Sequence, residues 1–160
     1  MAGITQAMST SFKVELLEAY HNFSTVNPAR SATTADTFKI ALFKGTVTGT
    51  YDATTTNYSN MTGNSDETSG TGYTAGGNTL TISNAPSSGA SPATTAWLSF
   101  SNTTWSTATI TSSGAMIYNS SQGNRSVCVL NFGSTVSSTA GNFTVQFPTA
   151  AASTAIIQLQ

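Results

Sequence analysis

Charge is the scarcest thing in this 160-residue chain: 7% of its residues are Asp, Glu, Lys or Arg, against roughly 25% in an average soluble domain. Its five basic residues are scattered, so it has no cluster to neutralise phosphates, which argues against nucleic-acid binding. One cysteine, Cys128, excludes an intrachain disulfide framework, and with His21 as the single histidine a closed Cys/His zinc site is excluded too. No apolar run approaches the roughly 20 residues of a membrane helix. Met1 to Thr10 shows neither a basic stretch nor an apolar one after it, so no secretory signal is read there.

Ser and Thr fill much of the space that charge leaves, at roughly a third of the chain. The charge that exists is uneven. Lys13, Glu15, Glu18, Arg30, Asp36, Lys39, Lys44, Asp52, Asp66 and Glu67 precede position 68, and Arg125 alone follows it. Ordinary soluble surfaces use interspersed charge and a net charge away from zero to suppress association. A formal net charge of -1 fits a neutral Thr-rich β-protein. It also fits a subunit whose working state is an assembly.

Apolar periodicity predicts one helix and then strands. Residues 1–9 read as an arm, ordered only if something holds it. Ser9, Thr10 and Ser11 offer capping hydroxyls, and Phe12, Leu16, Leu17, Tyr20 and Phe23 recur at helical spacing, which predicts a helix over 10–22. Lys13, Glu15 and Glu18 fall on its polar side. From Phe38 the period is two, with Phe38, Ile40 and Leu42 on one face. Further strands are predicted at 79–82, 96–100, 108–111, 115–119, 126–132, 143–147 and 155–159. Val127, Cys128, Val129 and Leu130 are apolar on both faces, which marks a strand covered on both sides. Residues 45–71 read as a long polar connection with one helical turn at 54–57, and 84–92 as a second loop. Short strands with polar turns make residues 10–160 a single, mainly β domain, an antiparallel β-sandwich of jelly-roll or Ig-like type with one N-terminal amphipathic helix.

Few residues suggest chemistry. His21 is placed at the end of the helix, where the dipole favours a cation. A general base also needs a nucleophile and an orienting acid, and no nucleophile-elbow motif is present. Gly70-Thr71-Gly72-Tyr73-Thr74-Ala75 matches a loose dinucleotide pattern, but that site requires a strand before and a helix after. Here a strand follows, and the glycines suit turns and close backbone approach. Asp66 and Glu67, with Asp52 nearby, form the one acidic group. Calcium would need more oxygen ligands, and a solvated loop is the plainer reading. Trp97, Trp105, Tyr73 and Tyr118 suggest a sugar-stacking platform, against the usual role of such rings as core. Asn-x-Ser/Thr triplets follow from composition, and Thr-x-Thr pairs lack the regular repeat of an ice-binding face.

Four segments carry a resemblance: Ser69 to Gly77 (SGTGYTAGG), Gly114 to Asn119 (GAMIYN), Val127 to Gly133 (VCVLNFG) and Phe143 to Pro148 (FTVQFP). Phe12 to Leu17 and Phe38 to Phe43 fit beside them. In this order, over most of the chain, they resemble small virion-associated proteins of tailed phages, of the kind seen in cyanobacterial and other aquatic phages. The loop before Phe38 is longer here, and 84–92 reads as an insertion. The resemblance implies a particle component and no enzyme, and brings no catalytic residues; no cofactor is expected.

The expected role is a capsid decoration or cement protein of the virion, assembled in the host cytoplasm. Its expected partners are the major capsid protein and further copies of itself, as a trimer or dimer. No nucleic-acid or membrane partner is expected. The arm and the two polar loops are the expected contact regions, with Ile4, Met8, Tyr51, Tyr58, Met61, Pro86 and Pro92 as contact residues. The alternatives are a tail, baseplate or fibre component that contacts a receptor, and a carbohydrate-binding module.

Overall fold

The computed structural model describes residues 2–24, 34–88 and 94–160. Its framework is a long hairpin. The strands predicted at 108–111 and 115–119 lie within one 17-residue strand, β7 (Thr103–Asn119), and those at 126–132 and 143–147 fall largely within the 21-residue β8 (Arg125–Val145). Between them Ser120–Gln122 makes a single 3-10 turn, where the Asn119 side chain accepts from the Ser121 amide and Gly123 takes φ 66°. Earlier elements are β1 (Gly3–Ile4), β2 (Ala7–Met8), α1 (Thr10–Leu17), β3 (Phe38–Lys44), β4 (Thr50–Tyr51), α2 (Ser59–Gly63), β5 (Asn78–Thr79) and β6 (Ala96–Leu98); β9 (Ile157–Leu159) ends the chain. The main sheet has the order β2-β8-β7-β3-β5, and β6 and β9 form a second small antiparallel sheet. The chain is mainly β, an antiparallel β-sandwich with one N-terminal helix; among the described residues β1 and β4 form the one parallel pair.

The hairpin and β3 place apolar side chains on both faces of the main sheet, as the period of two requires. Phe38, Ile40 and Leu42 share one face with Ala115, Ile117, Cys128 and Leu130. Phe12 of α1, Phe23, Leu80, Leu98, Phe100 and Ile157 cover this face. Ala41, Phe43, Met116, Tyr118 and Val129 point the other way. Each fully buried side chain of this size contributes about 2 kcal/mol. The expectation that 127–130 is covered on both sides holds, and all four residues are buried.

The cover of the second face comes from the segment expected to be a polar loop. Tyr51 and Met61 are fully buried against it, with Ile4, Val47 and Tyr58 packed around them. The helical turn in this segment is α2 at 59–63, not 54–57. The arm is held as well: β1 pairs with β4, and β2 pairs with β8 at Cys128 and Val129.

The helix is shorter than its sequence pattern predicts. It stops at Leu17 because Ala19 turns into the left-handed region, φ 59°. The Ala19 amide donates to the Leu16 carbonyl and the Tyr20 amide to the Glu15 carbonyl, the paired bonds of a Schellman ending. The predicted apolar stripe therefore divides. Phe12 is buried and Phe23 reaches the core from beyond the helix, whereas Leu17 is 90% exposed. Glu15, expected on the solvent side, is buried.

Candidate functional site

His21 lies beyond the helix, inside a polar network. Its Nε2 is 2.7 Å from Glu15 Oε2, and its Nδ1 is 2.9 Å from Asn119 Nδ2. The Asn119 amide also donates to Asp36 Oδ2 at 2.8 Å. An amide nitrogen only donates, so Nδ1 is the acceptor and the ring proton sits on Nε2, directed at Glu15. Burial lowers the His21 pKa, against the raising pull of Glu15 and Asp36. The second Glu15 oxygen accepts from Arg125 at 2.6 Å, and that guanidinium lies over the Tyr20 ring at 4.5 Å. Glu15, Arg125 and Tyr20 line a cleft of ≈ 580 Å³. Among the described residues no hydroxyl is hydrogen-bonded to the imidazole. Both ring nitrogens are occupied, so the arrangement fixes one tautomer and joins α1 to the hairpin.

The acidic pair is an internal hub, which corrects its reading as a solvated loop. Asp66 is fully buried. Its carboxylate accepts from the Thr48 and Gly49 amides, the Thr48 hydroxyl and the Tyr51 hydroxyl, and pairs with Lys44 Nζ at 2.8 Å. Burial alone would raise its pKa, but Lys44, Tyr51 and the two amides hold it well below the ordinary value. Glu67 accepts from the Tyr58 and Tyr73 hydroxyls and the Gly76 amide. Asp52 caps its own turn through Thr54. The three carboxylates thus face different protein donors and do not converge on one point.

The same donors explain the glycine-rich segment 69–77. Tyr73 donates to Glu67 and accepts from the Leu42 amide, fastening the segment to β3. At Gly70 an added Cβ would meet the Thr109 carbonyl oxygen, and at Gly77, φ 66°, the Ile40 carbonyl oxygen. These glycines let a strap cross the backbones of β7 and β3, and β5 follows, not a helix.

The aromatic residues do not share one platform. Trp105 and Tyr118 are 3% and 2% exposed, so neither offers an open ring face. Trp105 stacks on Tyr73 and meets Phe143 edge-on, and Tyr118 stacks on Tyr58. Trp97 lies apart, in β6.

The expected contact residues also separate. Tyr51 and Met61 have no exposed surface in the folded chain, a correction whose cause is the folding of 45–71 onto the sheet. Ile4, Met8 and Tyr58 are half-buried, and Pro86 is exposed. Pro92 lies outside the described residues.

Two surfaces were not found by sequence reasoning. An apolar cleft of ≈ 160 Å³ opens between α1 and the β6–β9 sheet, lined by Leu16, Pro86, Trp97 and Leu159 among others. Val14 and Leu17 of α1 are 50% and 90% exposed. The other surface is the distal half of the hairpin, where Thr104 and Thr144 hydroxyls meet at 2.9 Å and Thr111 and Ser137 at 2.8 Å. The excess of Leu over polar residues at the end of α1 was a signal for the first; the charge-free run after Arg125 was the signal for the second. Compared with known protein families, curated proteins and solved structures, the chain matches none.

Proposed function

We propose that this protein is a structural component of a tailed-phage virion, a capsid decoration protein that binds the outer shell and bridges neighbouring major capsid protein subunits. The observation that carries the reading is where the charge goes. Glu15 pairs with Arg125, Asp66 with Lys44, and Glu67 accepts from two tyrosines. What faces outward from the distal hairpin is hydroxyl and small apolar surface, with no charged residue in 103–124 or 126–145. Such a surface neither repels a shell nor depends on salt.

The four segments that resemble virion proteins add support. Three lie in the hairpin or run on from its end, and the fourth is the strap across it. They are the sheet's framework, so the support the resemblance lends is to a shared fold, and it names no catalytic group. Repeated weak contacts on a shell add through multivalency. The exposed apolar residues of α1 and Pro86 replace Tyr51 and Met61 as contact residues.

Copy number tests the reading. Quantitative mass spectrometry of purified particles, against the major capsid protein, should give hundreds of copies per particle. A handful per particle would assign the chain to the tail, and absence from particles would remove the virion reading.

A further inference from the structure

Along the outer edge of β8, no strand pairs over most of its length among the described residues. β2 covers β8 only at Cys128 and Val129. From Val136 to Val145, β8 has β7 on one side and, among the described residues, no strand on the other. An open row of backbone donors and acceptors is a template for another strand, and proteins usually guard it with Lys, Pro or brevity. Most other edges here follow that rule, and the outer side of β7 before Ser112, beyond its pairing with β3, is instead crossed by the strap at Thr71, whose carbonyl accepts from the Thr109 amide. β3 carries Lys39 and Lys44, and β1, β2, β4, β5, β6 and β9 are two or three residues long. The β8 edge carries no charge and no proline over 126–147, and over 136–145 what interrupts it is the bulge at Ala140.

A second feature lies on the same strand. Phe132, Val136, Phe143 and Val145 line an apolar notch of ≈ 160 Å³, and Val136 is 43% exposed beside it. The bulge at Ala140, φ 47°, bends the strand, while Phe143 to Val145 pairs without a break with Thr103 to Trp105.

We propose that the β8 edge, 136–145, pairs antiparallel with the same edge of a second copy about a two-fold axis, joining two five-stranded sheets into one. The partner follows from the chemistry of the edge. In a two-fold pair the strand meets its own sequence reversed, so any charge near the axis faces its own copy. Ten residues without a charge meet that requirement. The contact also covers the notch and Val136.

The inference stands apart from the capsid reading, because self-pairing needs no shell. Size exclusion with light scattering at about 100 μM, well above the Kd of a weak micromolar interface, should find the full-length protein as a dimer. The double variant Val136→Lys/Asn142→Lys should be monomeric, with Cys128 still shielded from a thiol reagent as proof of folding. Val14→Lys/Leu17→Lys on α1 should remain dimeric. A monomeric wild type, a dimer that survives the edge substitutions, or a dimer lost only in the α1 variant would each overturn the proposal. The experiment contains no particles, so its failure leaves the copy-number result untouched, and the reverse.

Discussion

Glu15 and Arg125 are 110 positions apart in the chain, and their side chains meet at 2.6 Å. The contact ties the first helix to the turn end of the hairpin. Glu15 is buried and the Arg125 side chain is 38% exposed, so the pair lies between the weak surface bridge and the costly buried one. Arg125→Ala should destabilise the fold by about 1–2 kcal/mol, read as a lower urea midpoint at unchanged slope. An unchanged midpoint would show that Glu15 is satisfied by His21 alone.

His21 makes stability depend on pH. Its folded pKa lies below the ordinary 6.5, because burial disfavours the imidazolium although Glu15 and Asp36 pull the other way; Arg125 adds to the lowering. As pH falls through 6.5 the unfolded chain takes a proton that the folded chain resists, so stability declines below that value and is fully present above it. Thermal unfolding between pH 7.5 and about 5 should show this fall, and His21→Gln should flatten it. A slope that persists in the variant would assign it to other groups.

Asp66 acts at lower pH. Its folded pKa is below the ordinary 3.8, so its contribution is present above that value and disappears as pH falls through the folded pKa. Asp66→Asn removes the charge that faces Lys44 and sets an amide donor among the Thr48 and Gly49 amides. The loss at neutral pH should be about 3 kcal/mol, measured by denaturant unfolding. A cost below that of an ordinary surface substitution would mean that the hub is not formed.

Gly77→Ala places a methyl group on the Ile40 carbonyl at φ 66°. Clash and backbone strain together should cost about 3 kcal/mol or more and free the β3–β5 edge. Faster amide exchange at Leu80, whose N–H donates to the Phe38 carbonyl, is the expected signature.

Cys128 is buried in β8 and its thiol is pushed up to about 12 by burial. A thiol reagent should label it slowly in the native state and fast in urea. Fast native labelling would contradict the double cover of residues 127–130.

The sequence made the double cover legible because Val127 to Leu130 is apolar at every position, and β3 because Phe38, Ile40 and Leu42 alternate. The helix end was hidden because its left-handed residue is Ala19, not glycine. The hub was hidden for a different reason: the donors to Asp66 and Glu67 are backbone amides and tyrosine hydroxyls brought in by tertiary folding, and local spacing carries no trace of them. The same holds for Tyr51 and Met61, apolar residues in a polar segment whose burial depends on a distant sheet face. The length of β8 escaped because 133–142 is small and polar apart from Val136, with no alternation to read.

Strand order also sets when this chain can fold during synthesis. β3 finds its main partner in β7, and β2 in β8, yet both partners are made after residue 102. The hairpin is local and can close once β8, which follows its turn, has left the ribosome. Everything before it waits: α1, β3 and the acidic hub have no complete sheet to cover until then. Translation therefore leaves the first two-thirds of the chain exposed, with Phe12, Phe38, Ile40 and Leu42 uncovered. That interval is the stage at which aggregation competes with folding, and a pause placed within the hairpin codons would lengthen it.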